Sequence, residues 1–129
     1  MRDLSKIYSP PHGILLLVRL ARMENRIGGC VGLRRIGGDA CEMMRLFIRP
    51  EFRGMGLGKR CARDIIEKAR EMGYRAMRLH TLPSMKEALS IYRALGFTEI
   101  PPYGADPVEG AIFMEMDLQK QGARTAPAS

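Results

Sequence analysis

Apolar and polar positions keep one period over the first half of the chain and another beyond residue 57. "ILLLVRL" (14–20) and "IGGCVGLRRI" (27–36) read as strands joined by the polar stretch "ARMENR", a hairpin-like connection. "GGD" (37–39) turns the chain into a third strand, "CEMMRLFI" (41–48), whose near-continuous apolar character predicts burial on both faces. From Leu57 the spacing becomes helical. Leu57, Cys61, Ile65, Ala69 and Met72 share one face, Lys59, Arg63, Glu67, Lys68 and Glu71 are polar, and Gly73 ends the helix. "AMRLHTL" (76–82) is again a strand, and strand–helix–strand implies a parallel pair with a right-handed crossover. A capping box follows, with Ser84 as N-cap and Glu87 three residues on, and its helix runs to Leu95 and stops at Gly96. "FTEI" (97–100) and "AIFMEMDL" (111–118) close the fold around a "PPYGADPVEG" loop. Residues 1–13, with "SPPHG", read as an irregular lead-in, and 119–129 as a disordered tail. The expected architecture is α+β, one domain over 1–118, with a mixed sheet and a helix packed on each face.

Composition narrows the partners. At 129 residues the chain can bury a core without staples, and its longest apolar run, "ILLLV", is too short to span a bilayer. The opening "MRDLSKIYSPPHG" lacks the features of a signal peptide, so a cytoplasmic protein is expected. Cys30, Cys41 and Cys61 sit in apolar patterns without metal-ligand spacing and read as buried thiols, and no metal site is expected. A net charge of +7 and a pI near 9.8 favour an anionic partner. That partner is either nucleic acid or a polyphosphate; the absence of tryptophan and 6% aromatics leave few stacking platforms for single strands.

The chemistry concentrates in "RPEFRGMGLGKR" (49–60). Gly54, Gly56 and Gly58 alternate just before a helix begins. Glycines let backbone amides approach a ligand closely, and a helix N-terminus adds unpaired donors and the positive end of a dipole. With Arg53, Lys59 and Arg60 alongside, the run reads as a pyrophosphate cradle. A flexible turn with solvated arginines is the plain alternative. The spacing excludes two nucleotide motifs. A Walker loop needs four residues between its glycines, and Gly54 to Gly58 encloses three; the dinucleotide fingerprint needs glycine where Lys59 or Cys61 stands.

Arg53, Gly56 and Gly58 do fit R-x-x-G-x-G, preceded by "LFIRPEF". This stretch resembles the GCN5-related N-acetyltransferase (GNAT) superfamily. "TLPSMKEALSIYRALGF" resembles the family's later helix motif through Ala88, Ile91, Tyr92, Gly96 and Phe97, and the ending resembles a bacterial branch of small members. The resemblance covers roughly residues 14–118. It implies the acyl-CoA N-acyltransferase fold, in which a mostly antiparallel sheet contains one parallel pair, 41–48 with 76–82, that splays open. Acetyl-CoA would lie in the cleft as co-substrate. The backbone of Leu46, Phe47 and Ile48 would hold the pantetheine arm, and the amides of Gly54, Met55, Gly56, Leu57, Gly58 and Lys59, beside Arg53, the pyrophosphate. Met85 stands where the family often has a cofactor-contacting Asn.

The activity the resemblance implies is acetyl transfer from acetyl-CoA to a primary amine by direct attack in a ternary complex. Tyr92 matches the family's proton donor to the departing thiolate; a core tyrosine is the bland alternative. Glu42 lies six residues before Ile48, the separation at which histone-acetylating members carry their basic glutamate, and shares a strand face with Met44, Leu46 and Ile48. It is the candidate base, acting through a bridging water; the alternative is a solvated carboxylate paired with Arg35 or a neighbour. His80 is the weaker candidate. Compared with the family, the chain looks shortened at its N-terminus, leaving a sheet edge to be covered by self-association as a homodimer or by residues 1–13. Two rival functions stay open: a CoA-binding sensor without turnover, and a basic nucleic-acid binder.

Overall fold

A computed structural model describes residues 2–8, 13–24, 26–103 and 109–119. Alternation builds the first half. In β2 (Gly13–Leu20) the buried Ile14, Leu16, Val18 and Leu20 alternate with less buried neighbours, so one face of the strand meets the core. A short 3-10 turn leads to β3 (Arg26–Gly37), which pairs antiparallel with β2 and then with β4 (Ala40–Ile48). Gly38, at φ +54°, supplies the left-handed residue of the β3–β4 turn. β4 is buried on both sides at its start, with Cys41 and Met43 on one face and Glu42 on the other.

Helix α1 (Leu57–Glu71) buries Leu57, Cys61, Ile65 and Ala69 of the predicted face, whereas Met72, expected with them, is its exposed C-cap, and Gly73 follows at φ +91°. It crosses to β5 (Ala76–Thr81), parallel to β4; α2 (Lys86–Leu95), β6 (Thr98–Ile100) and β7 (Ile112–Asp117) complete one sheet in the order β1-β2-β3-β4-β5-β7-β6. The thiols of Cys41 and Cys61 are buried and that of Cys30 is half-buried.

The α+β class and the mixed, mostly antiparallel sheet hold, and three expectations change. First, part of the supposed lead-in is a strand: β1 (Arg2–Tyr8) pairs antiparallel with β2, so the chain itself, rather than a second copy, supplies the cover for that edge. Second, the helices do not take one face each. They touch each other, and Cys61 and Ile65 of α1 join Leu89 and Tyr92 of α2 in a single core with Leu33, Met43, Leu79 and Met114. Third, the capping box does not form: Met85, not Ser84, is the N-cap of α2, without a side-chain cap. Of the expected tail, residues from 120 onward lie outside the described residues, as do 104–108 of the "PPYGADPVEG" loop. Among the described residues no helix is long and apolar enough to cross a membrane.

Gly29 holds β3 against the end of β4. A Cβ there would fall against the Phe47 carbonyl oxygen and 2.7 Å from Ile48 Cδ1. Backbone cannot yield as a flexible side chain does, so Gly29→Ala must push β4 away. We expect a loss of about 1–3 kcal/mol, read as a lowered denaturant midpoint, with changes in amide chemical shifts centred on Phe47 and Ile48.

Candidate active site

β4 and β5 stay paired for only three residue pairs, Ala40↔Ala76, Cys41↔Met77 and Glu42↔Arg78. Beyond Glu42 the strands part, and a cleft of about 650 Å³ opens between the end of β4 and the start of α2. Leu46, Phe47 and Ile48 form one wall, and Ser84, Met85, Ala88 and Ile91 the other. The floor is the turn into α1, including Gly54, Gly56, Gly58 and Lys59. The walls meet at Gly58, where a Cβ would lie 3.3 Å from Ile91 Cδ1.

The turn has the properties of an anion site. Gly54 and Gly56 take φ values of +84° and +78°, and nothing stands within 4 Å of where their Cβ atoms would be. Gly56 is the N-cap, and the Arg60 amide donates to its carbonyl at 3.2 Å. The amides of Leu57, Gly58 and Lys59 therefore precede the first intrahelical bond and face outward. No acidic residue occupies the first turn. Arg53 braces the approach: its Nε donates to the Ile48 carbonyl at 2.9 Å, and its guanidinium lies 5.7 Å from the Phe47 ring centre. Small residues, outward amides and flanking cations suit the pyrophosphate of a CoA ester, and the cleft between Leu46–Ile48 and α2 suits its extended arm. The Met55 side chain is exposed and does not line the cleft, which fits a position expected to act through its backbone amide alone.

Tyr92 is buried, with its ring set edge-on to Phe97 at 5.8 Å. Burial raises its hydroxyl above the ordinary tyrosine value. It does not itself line the cleft; Ala88, one turn earlier on the same helix face, does.

Glu42 stands at the vertex where the strands separate. It is buried and is not a cleft-lining residue. Of the partners expected for it, Arg35 or a neighbour, the structure selects the neighbour Arg34, whose Nε and Nη2 donate to Glu42 Oε1 at 3.0 and 2.9 Å. The Tyr103 hydroxyl donates to Oε2 at 2.8 Å, and His80 Nδ1 lies 3.7 Å from the same oxygen. Strand register extends this contact. Arg34, Glu42, Arg78 and Glu115 are successive cross-strand partners on β3, β4, β5 and β7, so basic and acidic groups alternate in one row. Arg78 Nε donates to Glu115 Oε2 at 2.9 Å, and its guanidinium sits 5.7 Å from the Tyr103 ring centre. The sequence reading missed Arg34, Arg78, Tyr103 and Glu115 as neighbours of Glu42. Tyr103 is 61 residues away along the chain, and only strand register brings the others together.

Residues 2–97 match the acetyltransferase (GNAT) family. An uncharacterised N-acetyltransferase of Schizosaccharomyces pombe is 38% identical over 115 residues, spanning 88% of this chain and 69% of its own. The uncharacterised N-acetyltransferase YjgM of Escherichia coli is 35% identical over 98 residues, spanning 76% of this chain and 59% of its own. A GNAT acetyltransferase of Elizabethkingia anophelis, solved with acetyl-CoA bound, superposes with a TM-score of 0.74 at 18% identity, covering 90% of this chain and 97% of that one. The splayed parallel pair and the glycine-rich helix start define an acyltransferase fold, and the chain belongs to the GNAT family.

The cradle makes a test of charge alone available. Asn and Asp both tolerate the left-handed backbone of Gly56 and differ by one charge. Gly56→Asp should bind CoA at least about tenfold more weakly than Gly56→Asn, because its carboxylate enters the phosphate field. Isothermal calorimetry reads the difference, and equal affinities would place the pyrophosphate elsewhere.

Proposed function

We propose that this protein transfers an acetyl group from acetyl-CoA to a primary amine of a small molecule or protein, by direct attack in a ternary complex. The observation that carries the reading is the cleft itself, where parting strands lead from a glycine-lined anion cradle to a buried carboxylate at the vertex. Acetyl-CoA supplies an activated thioester. The backbone of Leu46–Ile48 holds its arm, while the amides of 54–59, with Arg53 beside them, take its pyrophosphate. Where β4 leaves β5, strand donors lose their partners and are free to polarise the thioester oxygen.

An alkylamine has a pKa near 10 and arrives protonated, so attack requires a base. Glu42 is that base in our reading. Tyr92 protonates the departing thiolate, and its raised pKa keeps it in the donor form at neutral pH. A CoA sensor would need the cradle but no buried carboxylate at the vertex, so the enzyme is the favoured reading. Thiol release from acetyl-CoA across a panel of primary amines tests it, and silence across the panel would favour the sensor.

Glu42→Gln keeps one oxygen to accept from Arg34, turns an NH2 donor toward the Tyr103 oxygen, and no longer takes a proton. With an accepted amine, its rate should fall by about 10²-fold or more at neutral pH. The deficit should shrink as pH approaches the amine pKa and the substrate deprotonates unaided. An unchanged rate and profile would make Glu42 a structural ion-pair member only.

A further inference from the structure

The surroundings of Glu42 restrict how a proton can reach it. Oε1 is occupied twice, by Nε and Nη2 of Arg34. Oε2 accepts from the Tyr103 hydroxyl at 2.8 Å. His80 Nδ1, at 3.7 Å, is beyond hydrogen-bond range of that oxygen. Among the described residues, Arg78 and Glu115 are the next charged groups in the cross-strand row, and each engages the other. Among these groups Tyr103 alone both touches Glu42 and keeps an oxygen free to accept from a further donor. Its ring is fixed edge-on to Phe113 at 5.0 Å and beneath the Arg78 guanidinium.

We propose that Tyr103 is the proton relay between the acceptor amine and Glu42, standing where a bridging water would otherwise be needed. The inference rests on the base role of Glu42 given above. As an N–H bond of the ammonium breaks, the Tyr103 oxygen takes its proton, and the proton Tyr103 already held passes to Glu42 Oε2. The neutral amine then uses its lone pair to form the N–C bond to the thioester carbon. The C–S bond breaks with its electron pair on sulfur, Tyr92 protonates that thiolate, and the amine's second proton restores the Tyr92 hydroxyl. Burial, then the bond to Glu42, pushes the Tyr103 hydroxyl well above the ordinary phenol range. The hydroxyl therefore never ionises alone at working pH; it gives up one proton only as it gains another.

Tyr103→Phe removes the oxygen and keeps the ring against Phe113 and Arg78. With the fastest amine of the panel, kcat should fall about tenfold or more at neutral pH, and the gap should close at high pH. CoA affinity by calorimetry should stay near that of the parent protein, and the thermal midpoint should fall only by the modest step that one lost hydrogen bond to Glu42 costs. The double variant with Glu42→Gln should be no slower than Glu42→Gln alone, because both changes cut one path. A parent-like pH profile in Tyr103→Phe beside a slow Glu42→Gln would overturn the relay and leave the base standing. Losses that multiply in the double variant would also overturn it. A fast Glu42→Gln, or no turnover of any amine, would remove the base or the activity first, and the relay with it.

Discussion

The parallel contact between β4 and β5 ends at Glu42 and Arg78, and the rest of the site depends on where it ends. Up to that pair the two strands are ordinary neighbours in a sheet, with Cys41 Sγ also donating to the Ala76 carbonyl at 3.6 Å. Past it, β4 continues to Ile48 beside β3, while β5 continues to Thr81 beside β7. Each arm of the opening is thus held from outside by an antiparallel partner, and the gap can persist without a ligand to prop it. Backbone groups inside the gap lose their sheet partners, which in a closed sheet would be a cost and on the proposed reading provides the binding surface.

The two faces of the sheet divide the work. Both helices press on the face that carries the core, and their meeting at Gly58 and Ile91 couples the cradle to the opposite wall of the cleft. The other face carries the row of alternating charges and the Tyr103 contact. An exposed ion pair contributes little to stability, but Glu42 is almost wholly buried, and leaving it unpaired would be expensive. Arg34 and Tyr103 are therefore as much a condition of the fold at this point as a part of the proposed chemistry.

How much of this could be read from the sequence follows from the range of the interactions. Helix α1 and its glycine-rich entry were legible because Leu57, Cys61, Ile65 and Ala69 repeat within one element and Gly54 and Gly56 answer to a local backbone need. The splay was legible only through family resemblance, since no residue between 41 and 48 signals where pairing stops. β1 was missed because an edge strand is made by its partner: "RDLSKIY" has no clean alternation, and its pairing with β2 is a tertiary choice. Ser84–Glu87 has the letters of a capping box, yet Met85 at φ −89°, ψ 68° starts the helix one residue later, and both Ser84 and Glu87 border the cleft. Arg34 was overlooked in favour of Arg35 because a difference of one residue on a strand reverses the face, and register decides which face meets Glu42.

The charge row has a further consequence for how the two substrates are drawn in. Arg34 with Glu42, and Arg78 with Glu115, cancel in pairs, so their summed field fades within a short distance. The cofactor side is different, because Arg53, Lys59 and Arg60 stand around outward amides on a chain carrying +7 overall. A polyanion approaching there feels long-range attraction that dissolved ions screen, whereas an amine approaching the vertex meets a surface that is nearly silent until contact. On the proposed reading, ionic strength tunes the capture of one substrate and leaves the other to shape and short-range hydrogen bonding.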